Sequence, residues 1–261
     1  MEVKNNIKIT LIQSDIVWED IDTNLERISK KILKVEDQPD IIVLPEMFAT
    51  GFLMQPEKFA QTEDGTIVSR LGELSKQKNA VIVASVIIKD KGKYYNRLFW
   101  INPEGQYQTY NKKHLFSFAG EHEKYAAGDK DLIVNYKSWR IKLLICYDLR
   151  FPVWSRNRND YDILIYIANW PNVRSFPWKT LLLARAIENL SYVVGVNRVG
   201  EDGNRIAHSG DSMIIDFKGE IICNTKPFEE TIETCTLSYE DLIKFRTKFP
   251  ALGDADEFEL K

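Results

Sequence analysis

The sequence predicts an α/β sandwich folded as a single domain over residues 1–261. Three observations predict it. Short β-rich runs recur along the whole chain, and several are apolar throughout, as strands covered on both faces require. Segments with helical apolar spacing fall between some of them. No Pro/Gly/Ser linker, low-complexity tract or repeat divides the chain, and 261 residues can bury one large core.

The first run, IKITLIQ (7–13), is followed by a helix over 20–35 that carries Ile21, Leu25, Ile28, Ile32 and Val35 on one face. DIIVLPE (40–46) is the next strand. A turn-like EDG then opens a helix over 64–78, with Ile67, Leu71 and Leu74 on one side. AVIVASVII (80–88) and RLFWIN (97–102) are strands, and the EG of INPEGQY marks a hairpin within 93–110. RIKLLIC (140–146), DILIYIAN (162–169), a third helix over 178–190, SYVVGVNRV (191–199) and SMIIDF (212–217) follow. The order reads β-α-β-α-β, a hairpin, then β-α-β-α-β-β, which suits sheets with helices outside.

Composition excludes several function classes. The chain is 44% hydrophobic and 28% charged, with a formal net charge of −3 and mixed signs throughout. It has no basic footprint for nucleic acid and no polybasic membrane anchor. No apolar stretch approaches the roughly 20 residues that cross a bilayer. MEVKNNIKITLIQSD lacks the apolar run and cleavage site of a signal peptide. The three cysteines, Cys146, Cys223 and Cys235, form no CxxC pair; they argue against a disulfide framework and suit a reducing cytosol. His114, His122 and His208 show no metal-ligand spacing, so no metal is expected.

Chemistry is then sought at strand ends. Cys146 follows KLLI and precedes a polar segment, so it leaves its strand at a sheet edge, where function concentrates. A thiol there is a candidate nucleophile, although a lone cysteine is more often a small buried hydrophobe. Glu46 follows Pro45 at the end of another buried run. A carboxylate is costly to bury unless paired or functional, which makes Glu46 a candidate general base. Capping of the next segment is its structural alternative. The stretch YNKKHLFSFAGEHEKYAAG (110–128) brings adjacent lysines, a histidine, Glu121 and Glu123. Alone, it reads as a charged loop.

Together these stretches resemble the nitrilase superfamily, the carbon–nitrogen hydrolases with a Glu–Lys–Cys triad. The matching pieces are LPEMFATGF, YNKKHLF and ICYDLRFP, followed in order by NWP (169–171), RAIENLSYVVGVNRVG (185–200), SGDSMIIDFKGEII (209–222) and FRTKFPALGDADEF (245–258). The family pattern Tyr-x-Lys-x-His-Leu-Phe aligns on Tyr110, His114, Leu115 and Phe116, which gives Lys112 the catalytic position and Lys113 the variable one. Glu121, seven residues before Gly128, fits the register of a further family glutamate better than Glu123.

The resemblance implies a four-layer α-β-β-α sandwich, no cofactor and an isologous homodimer. The segment after Cys146 and the C-terminal tail are the expected interface elements. It also implies roles. Glu46 accepts the Cys146 proton, and Cys146 attacks an amide carbon to give a thioester and ammonia. Lys112 and the Tyr147 backbone N–H stabilise the oxyanion, and Glu121 holds Lys112. Asn169, Trp170 and Arg174 are expected to line the substrate pocket, with a solvated loop position as the alternative for Arg174. Asp148 and Arg150 are read as a pair fixing the turn after the nucleophile, with substrate binding as the alternative; Arg185 is read as a structural ion pair, with a substrate carboxylate as its alternative partner, and Cys223 and Cys235 as structural. His114 is read as orienting its loop by hydrogen bonding. His122 and His208 carry no assigned role.

Cys146-Tyr147-Asp148 replaces the Cys-Trp-Glu of nitrilases and disfavours a nitrile substrate. CYDLRFP, NWP and the DADEF tail look most like the ω-amidase branch, which hydrolyses the terminal amide of 2-oxoglutaramate or 2-oxosuccinamate. An N-carbamoyl amide hydrolase with the same triad is the main alternative, and a non-catalytic scaffold member a third. The expected setting is cytoplasmic, with a small-molecule amide as partner and neither nucleic acid nor membrane.

Overall fold

The computed structural model describes residues 6–259. Residues 1–5, part of the N-terminal stretch read above, and 260–261 lie outside the described residues. The first part of the chain contributes β1 (Ile7–Gln13), α1 (Ile21–Lys34), β2 (Ile41–Val43), α2 (Pro56–Phe59), α3 (Thr66–Lys78), β3 (Val81–Asp90), β4 (Lys93–Ile101) and β5 (Tyr107–Asn111). Next come α4 (Glu121–Lys124), β6 (Ile133–Tyr136), β7 (Trp139–Ile145), α5 (Pro152–Ser155), β8 (Ile163–Ala168), α6 (Ser175–Asn189) and β9 (Tyr192–Asn197). Then follow β10 (Val199–Glu201), β11 (Ala207–Ser209), β12 (Met213–Ile215), β13 (Ile221–Asn224), β14 (Thr231–Leu237) and α7 (Tyr239–Lys248).

Two six-stranded sheets result, ordered β14-β1-β2-β3-β4-β5 and β13-β12-β9-β8-β7-β6. Alternation along the strands explains how they stack. In β2 and β3, Ile41, Val43, Val81 and Val83 join a core shared with Leu143, Ile165 and Val194 of the second sheet. Their neighbours Ile42, Ile82 and Ala84 point the other way, against Ile28, Ile32, Leu71 and Leu74 of α1 and α3. On the far side, Trp178, Leu182 and Ala186 of α6 cover the second sheet. Gly195 of β9 permits this close approach: a Cβ there would lie 2.5 Å from Leu182 Cδ1. The layers therefore run α-β-β-α, as the resemblance implied.

Several boundaries differ from the sequence reading. β2 stops at Val43 because Pro45, having no N–H, cannot extend the ladder. The run 191–199 breaks at Arg198 into β9 and β10, and α6 starts at Ser175 with Pro177 tolerated in its first turn. The edge strand β14 pairs antiparallel with β1, Ile7 opposite Leu237. It was not anticipated: TIETCTL is largely polar and only Leu237 is fully buried.

β1, β2 and β3 run parallel, and so do β7, β8 and β9. Two antiparallel pairings, β3 with β4 and β4 with β5, give β5 the direction of β2 and β3. The carboxyl ends of β2, β5, β7 and β8 each feed a functional segment, at Glu46, Lys112, Cys146 and Asn169.

Candidate active site

At the end of β7 the backbone turns sharply. Cys146 adopts φ +44°, a left-handed conformation rare for a residue with a Cβ, and starts a 3-10 turn over Cys146–Arg150. The first N–H groups of such a turn have no partner within it, so the Tyr147 N–H is available beside the sulfur. Fully buried Asp148 sets the turn. Its Oδ2 accepts from the Ile145 N–H at 3.0 Å and the Tyr110 hydroxyl at 2.8 Å. Its Oδ1 accepts from the His114 N–H at 2.9 Å and lies 2.7 Å from His114 Nδ1. Asp148 thus ties the nucleophile's turn to the loop after β5, and His114 orients that loop as expected. The expected Asp148–Arg150 pair does not form. The buried carboxylate is saturated by Tyr110, His114 and Ile145, and the exposed Arg150 guanidinium instead lies over the Trp170 ring, 5.1 Å from its centre.

Glu46 follows a similar exit. The next residue, Met47, has φ +44°, and its N–H donates to Ser85 Oγ at 2.8 Å. The fully buried Glu46 carboxylate accepts from three donors. Oε1 takes Asn96 Nδ2 at 2.7 Å and Lys112 Nζ at 2.9 Å, and Oε2 takes the Asn169 N–H at 2.8 Å. Asn169 Nδ2 also donates to the Glu46 carbonyl. Asn169 therefore commits both donors to Glu46, while its Oδ1 is buried without a partner.

Lys112 leaves β5 with its N–H bonded to the Asn96 carbonyl at 3.0 Å and its carbonyl bonded to the Gly128 N–H at 2.9 Å. A Cβ on Gly128 would lie 2.2 Å from the Asn111 carbonyl oxygen, so this return of the loop needs glycine. The Lys112 ammonium bridges Glu46 and both oxygens of Glu121, at 3.1 and 3.0 Å. Glu121 Oε2 also receives the Phe116 N–H at 2.5 Å.

Electrostatics follow from this burial. Desolvation alone would push the Lys112 ammonium down, but Glu121, Glu46 and Cys146 outweigh it and hold Lys112 above its ordinary value. Burial raises Glu121, against the pull of Lys112. Burial and the adjacent Glu46 carboxylate push the Cys146 thiol well above its ordinary value. A thiol raised in this way rests neutral, so a nucleophilic role for Cys146 would require proton transfer to a neighbouring base.

These groups line one cavity of about 290 Å³. Glu46, Lys112, Cys146 and Tyr147 line it, together with Asn169, Trp170 and Arg174. Trp170 is anchored by its N–H on Asn197 Oδ1 at 2.8 Å and its ring N–H on the Arg174 carbonyl at 2.7 Å. The Arg174 guanidinium lies over Phe116, 5.4 Å from the ring centre. Glu121 is in direct contact with Lys112 behind the cavity wall.

Lining residues to which sequence reasoning gave no pocket role include Phe52, Met54 and the hairpin residues Asp202, Asn204, Ile206 and His208, while Arg150, for which substrate binding was the alternative, lines the cavity too. Phe52 belongs to the LPEMFATGF stretch, a signal left unused; nothing local marks the hairpin. His208 is buried, with Nδ1 2.9 Å from the Ile206 carbonyl, and burial together with Arg198 depresses it to about 4. Arg185 makes the expected ion pair, with Glu188 at 2.9 Å, and donates to the Leu149 carbonyl. Cys223 and Cys235 lie on β13 and β14, outside this cavity. Among the described residues no group of three or more His, Cys, Asp or Glu is arranged to hold a metal ion, and no helix is long and apolar enough to cross a membrane.

Comparison with known proteins fits this geometry. The family model described as carbon-nitrogen hydrolase matches residues 8–247. Omega-amidase YafV of Escherichia coli (strain K12) is 45% identical over 254 residues, covering 97% of this chain and 98% of the relative. The 2-oxoglutaramate amidase of Bacillus subtilis (strain 168) is 32% identical over 251 residues, covering 94% and 96%. The crystal structure of XC1258 from Xanthomonas campestris, a CN-hydrolase superfamily protein with an arsenic adduct in the active site, superposes with a TM-score of 0.96 at 40% identity. It covers 98% of this chain and 100% of that one.

Proposed function

Because the chain belongs to the carbon–nitrogen hydrolase family, an amide-hydrolysing enzyme family, we propose that it is an ω-amidase whose reaction is carried by Glu46, Lys112 and Cys146. Its substrate is the terminal amide of a small 2-oxo acid, 2-oxoglutaramate or 2-oxosuccinamate, and its products are the dicarboxylate and ammonia. The observation that carries this reading is the buried Lys112 ammonium held between Glu46 and Glu121, with Glu46, Lys112 and the Cys146 thiol lining one cavity.

The chemistry follows from the donors and acceptors. Glu46 takes the Cys146 proton as the sulfur attacks the amide carbon. The carbonyl oxygen becomes an oxyanion that receives the Tyr147 N–H and faces the Lys112 ammonium. Glu46 returns the proton to the departing nitrogen, and ammonia leaves a thioester on Cys146. A water molecule then gives a proton to Glu46 and attacks the thioester, and the leaving sulfur recovers that proton. Glu46 accepts and returns one proton in each half-reaction, so one water is consumed and one ammonia released. Glu121 acts through Lys112: it keeps the ammonium charged and aimed.

The other end of the cavity suits a small anion. Arg174 and Arg150 are held over Phe116 and Trp170, so their guanidinium edges are free to receive the 2-oxo acid's carboxylate. The names of the amidase relatives support the same substrate class. The same reading takes residues 1–261 as one domain acting in the cytoplasm as a homodimer without a cofactor. Exposed Val153 after the nucleophile and Phe249 near the C-terminus support the interface, and sedimentation velocity tests it.

The direct test is ammonia release from 2-oxoglutaramate, run beside N-carbamoyl-β-alanine, for the wild type and Cys146→Ala. Release from the oxo-amide alone, abolished in Cys146→Ala, is expected. Release from the carbamoyl compound alone would overturn the substrate, and release by Cys146→Ala would overturn the nucleophile.

A further inference from the structure

Asn96 lies in the middle of β4, opposite Ile87 of β3, and is fully buried. Nothing about this setting calls for an amide, since Leu98, Phe99, Trp100 and Ile101 on the same strand are apolar and buried. Its donors nonetheless have a specific target: Nδ2 donates to Glu46 Oε1 at 2.7 Å. Its backbone carbonyl accepts the Lys112 N–H at 3.0 Å. Its side-chain oxygen is buried and, among the described residues, has no partner. A buried amide that leaves its acceptor unused is retained for its donor. The reverse orientation would set Oδ1 against a carboxylate oxygen, so Glu46 itself decides which way the amide points.

We infer that Asn96 is a positioning residue of this reaction: one strand position fixes the carboxylate of Glu46 through its side chain and the backbone of Lys112 through its carbonyl. The inference rests on the reading of Glu46 as the base. Its physical content is geometric first. Lys112 Nζ and Asn96 Nδ2 both bond Oε1, and the Asn169 N–H bonds Oε2, so the plane and rotamer of the carboxylate are fixed from three directions. Remove the Asn96 donor and Glu46 is held by Lys112 and one backbone N–H. The carboxylate can then rotate about its terminal bond, and its oxygens are no longer held in one orientation. The second effect is electrostatic. A neutral donor favours the charged form of the carboxylate it contacts, so its loss favours the protonated, catalytically incompetent form. The charged or titratable groups facing Glu46 are Lys112, Cys146, Glu121 and Tyr125, and none of them belongs to β4.

The test compares Asn96→Leu, which keeps the shape and removes the donor, with Asn96→Asp, which can donate only while protonated. Full pH profiles of kcat and KM are measured on 2-oxoglutaramate. For Asn96→Leu the expected result is a loss of about 10²-fold in kcat with KM little changed. The acid limb of kcat/KM should move to higher pH by about one unit. For Asn96→Asp the deficit relative to wild type should widen as pH rises. Profiles that superpose on the wild type after scaling, in both variants, would overturn the inference. If melting shows that Asn96→Leu does not fold, the smaller Asn96→Ser carries the same expectations. Glu46→Gln separates the two levels. If it retains activity, the reading of the base fails. If it is inactive while the Asn96 variants keep the wild-type profile shape, this inference alone fails.

Discussion

The two ends of the cavity are built differently. At the reactive end, Glu46, Lys112 and Glu121 are fully or almost fully buried and bonded to one another and to the backbone at 2.5–3.1 Å. At the other end, Arg150 and Arg174 rest on the faces of Trp170 and Phe116, more than 5 Å from the ring centres, and among the described residues no ion pair fixes them. Charge in low dielectric has to be paired, so the reactive end tolerates almost no change. Cations stacked on rings are screened by solvent and bind loosely, which suits them to receive a substrate's charge. The contrast separates chemistry from recognition in the same cavity of about 290 Å³.

Lys112→Met breaks the reactive end most severely. It removes the proposed oxyanion donor, for which a loss of about 10²–10³ in kcat is expected, and it takes the ammonium from two buried carboxylates, for which roughly 3–5 kcal/mol of stability is expected to be lost. Turnover and urea unfolding should therefore fall together, and a stable, active Lys112→Met would erase the contrast. Glu121→Gln is milder, since Gln can still accept from Lys112 and from the Phe116 N–H. We expect kcat to fall about tenfold or more with KM barely moved, read by steady-state kinetics.

Arg174→Ala probes the recognition end. It should raise KM by about 10–100-fold for the oxo-amide while sparing kcat and melting temperature, and an uncharged amide lacking the carboxylate should be hydrolysed equally by both proteins. A kcat effect as large as that of Glu121→Gln would contradict the division.

A separate effect, on stability and not on turnover, concerns His208, which lines the cavity yet is held near 4. Its folded value lies below the unfolded value of about 6.5, so between these values the unfolded chain binds the extra proton. Stability must therefore rise with pH across roughly 4–6.5, through a contribution that is fully present at neutral pH and lost as pH falls. The amount is about 3 kcal/mol. His208→Gln should flatten that slope in denaturation midpoints measured at pH 4.5 and 7.

Much of this arrangement is legible in the sequence, for physical reasons. Unbroken apolar runs such as IVL and LLI identify buried strands, and a Glu or Cys where such a run ends has to face a sheet edge. The choice of Lys112 over Lys113 comes from the motif register and has no local signature. Asn96 and Asp148 escape because their function is a long-range contact: Asn96 meets Glu46 across 50 positions, and Asp148 meets Tyr110 across 38. The expected Asp148–Arg150 pair failed because sequence proximity suggested a partnership that burial assigns elsewhere. The 201–208 hairpin and β14 are polar enough to read as loop, since each has one open face.

The central claim is that Cys146 forms the acyl intermediate with Glu46 as its proton acceptor. Rapid acid quench of the enzyme with 2-oxoglutaramate, followed by peptide mass analysis, tests it most directly. The expected result is a transient acyl adduct, the substrate's mass less ammonia, on the peptide containing Cys146 in the wild type and none in Glu46→Gln or Cys146→Ala. Turnover without any adduct on that peptide, or an adduct formed as fast in Glu46→Gln, would contradict it.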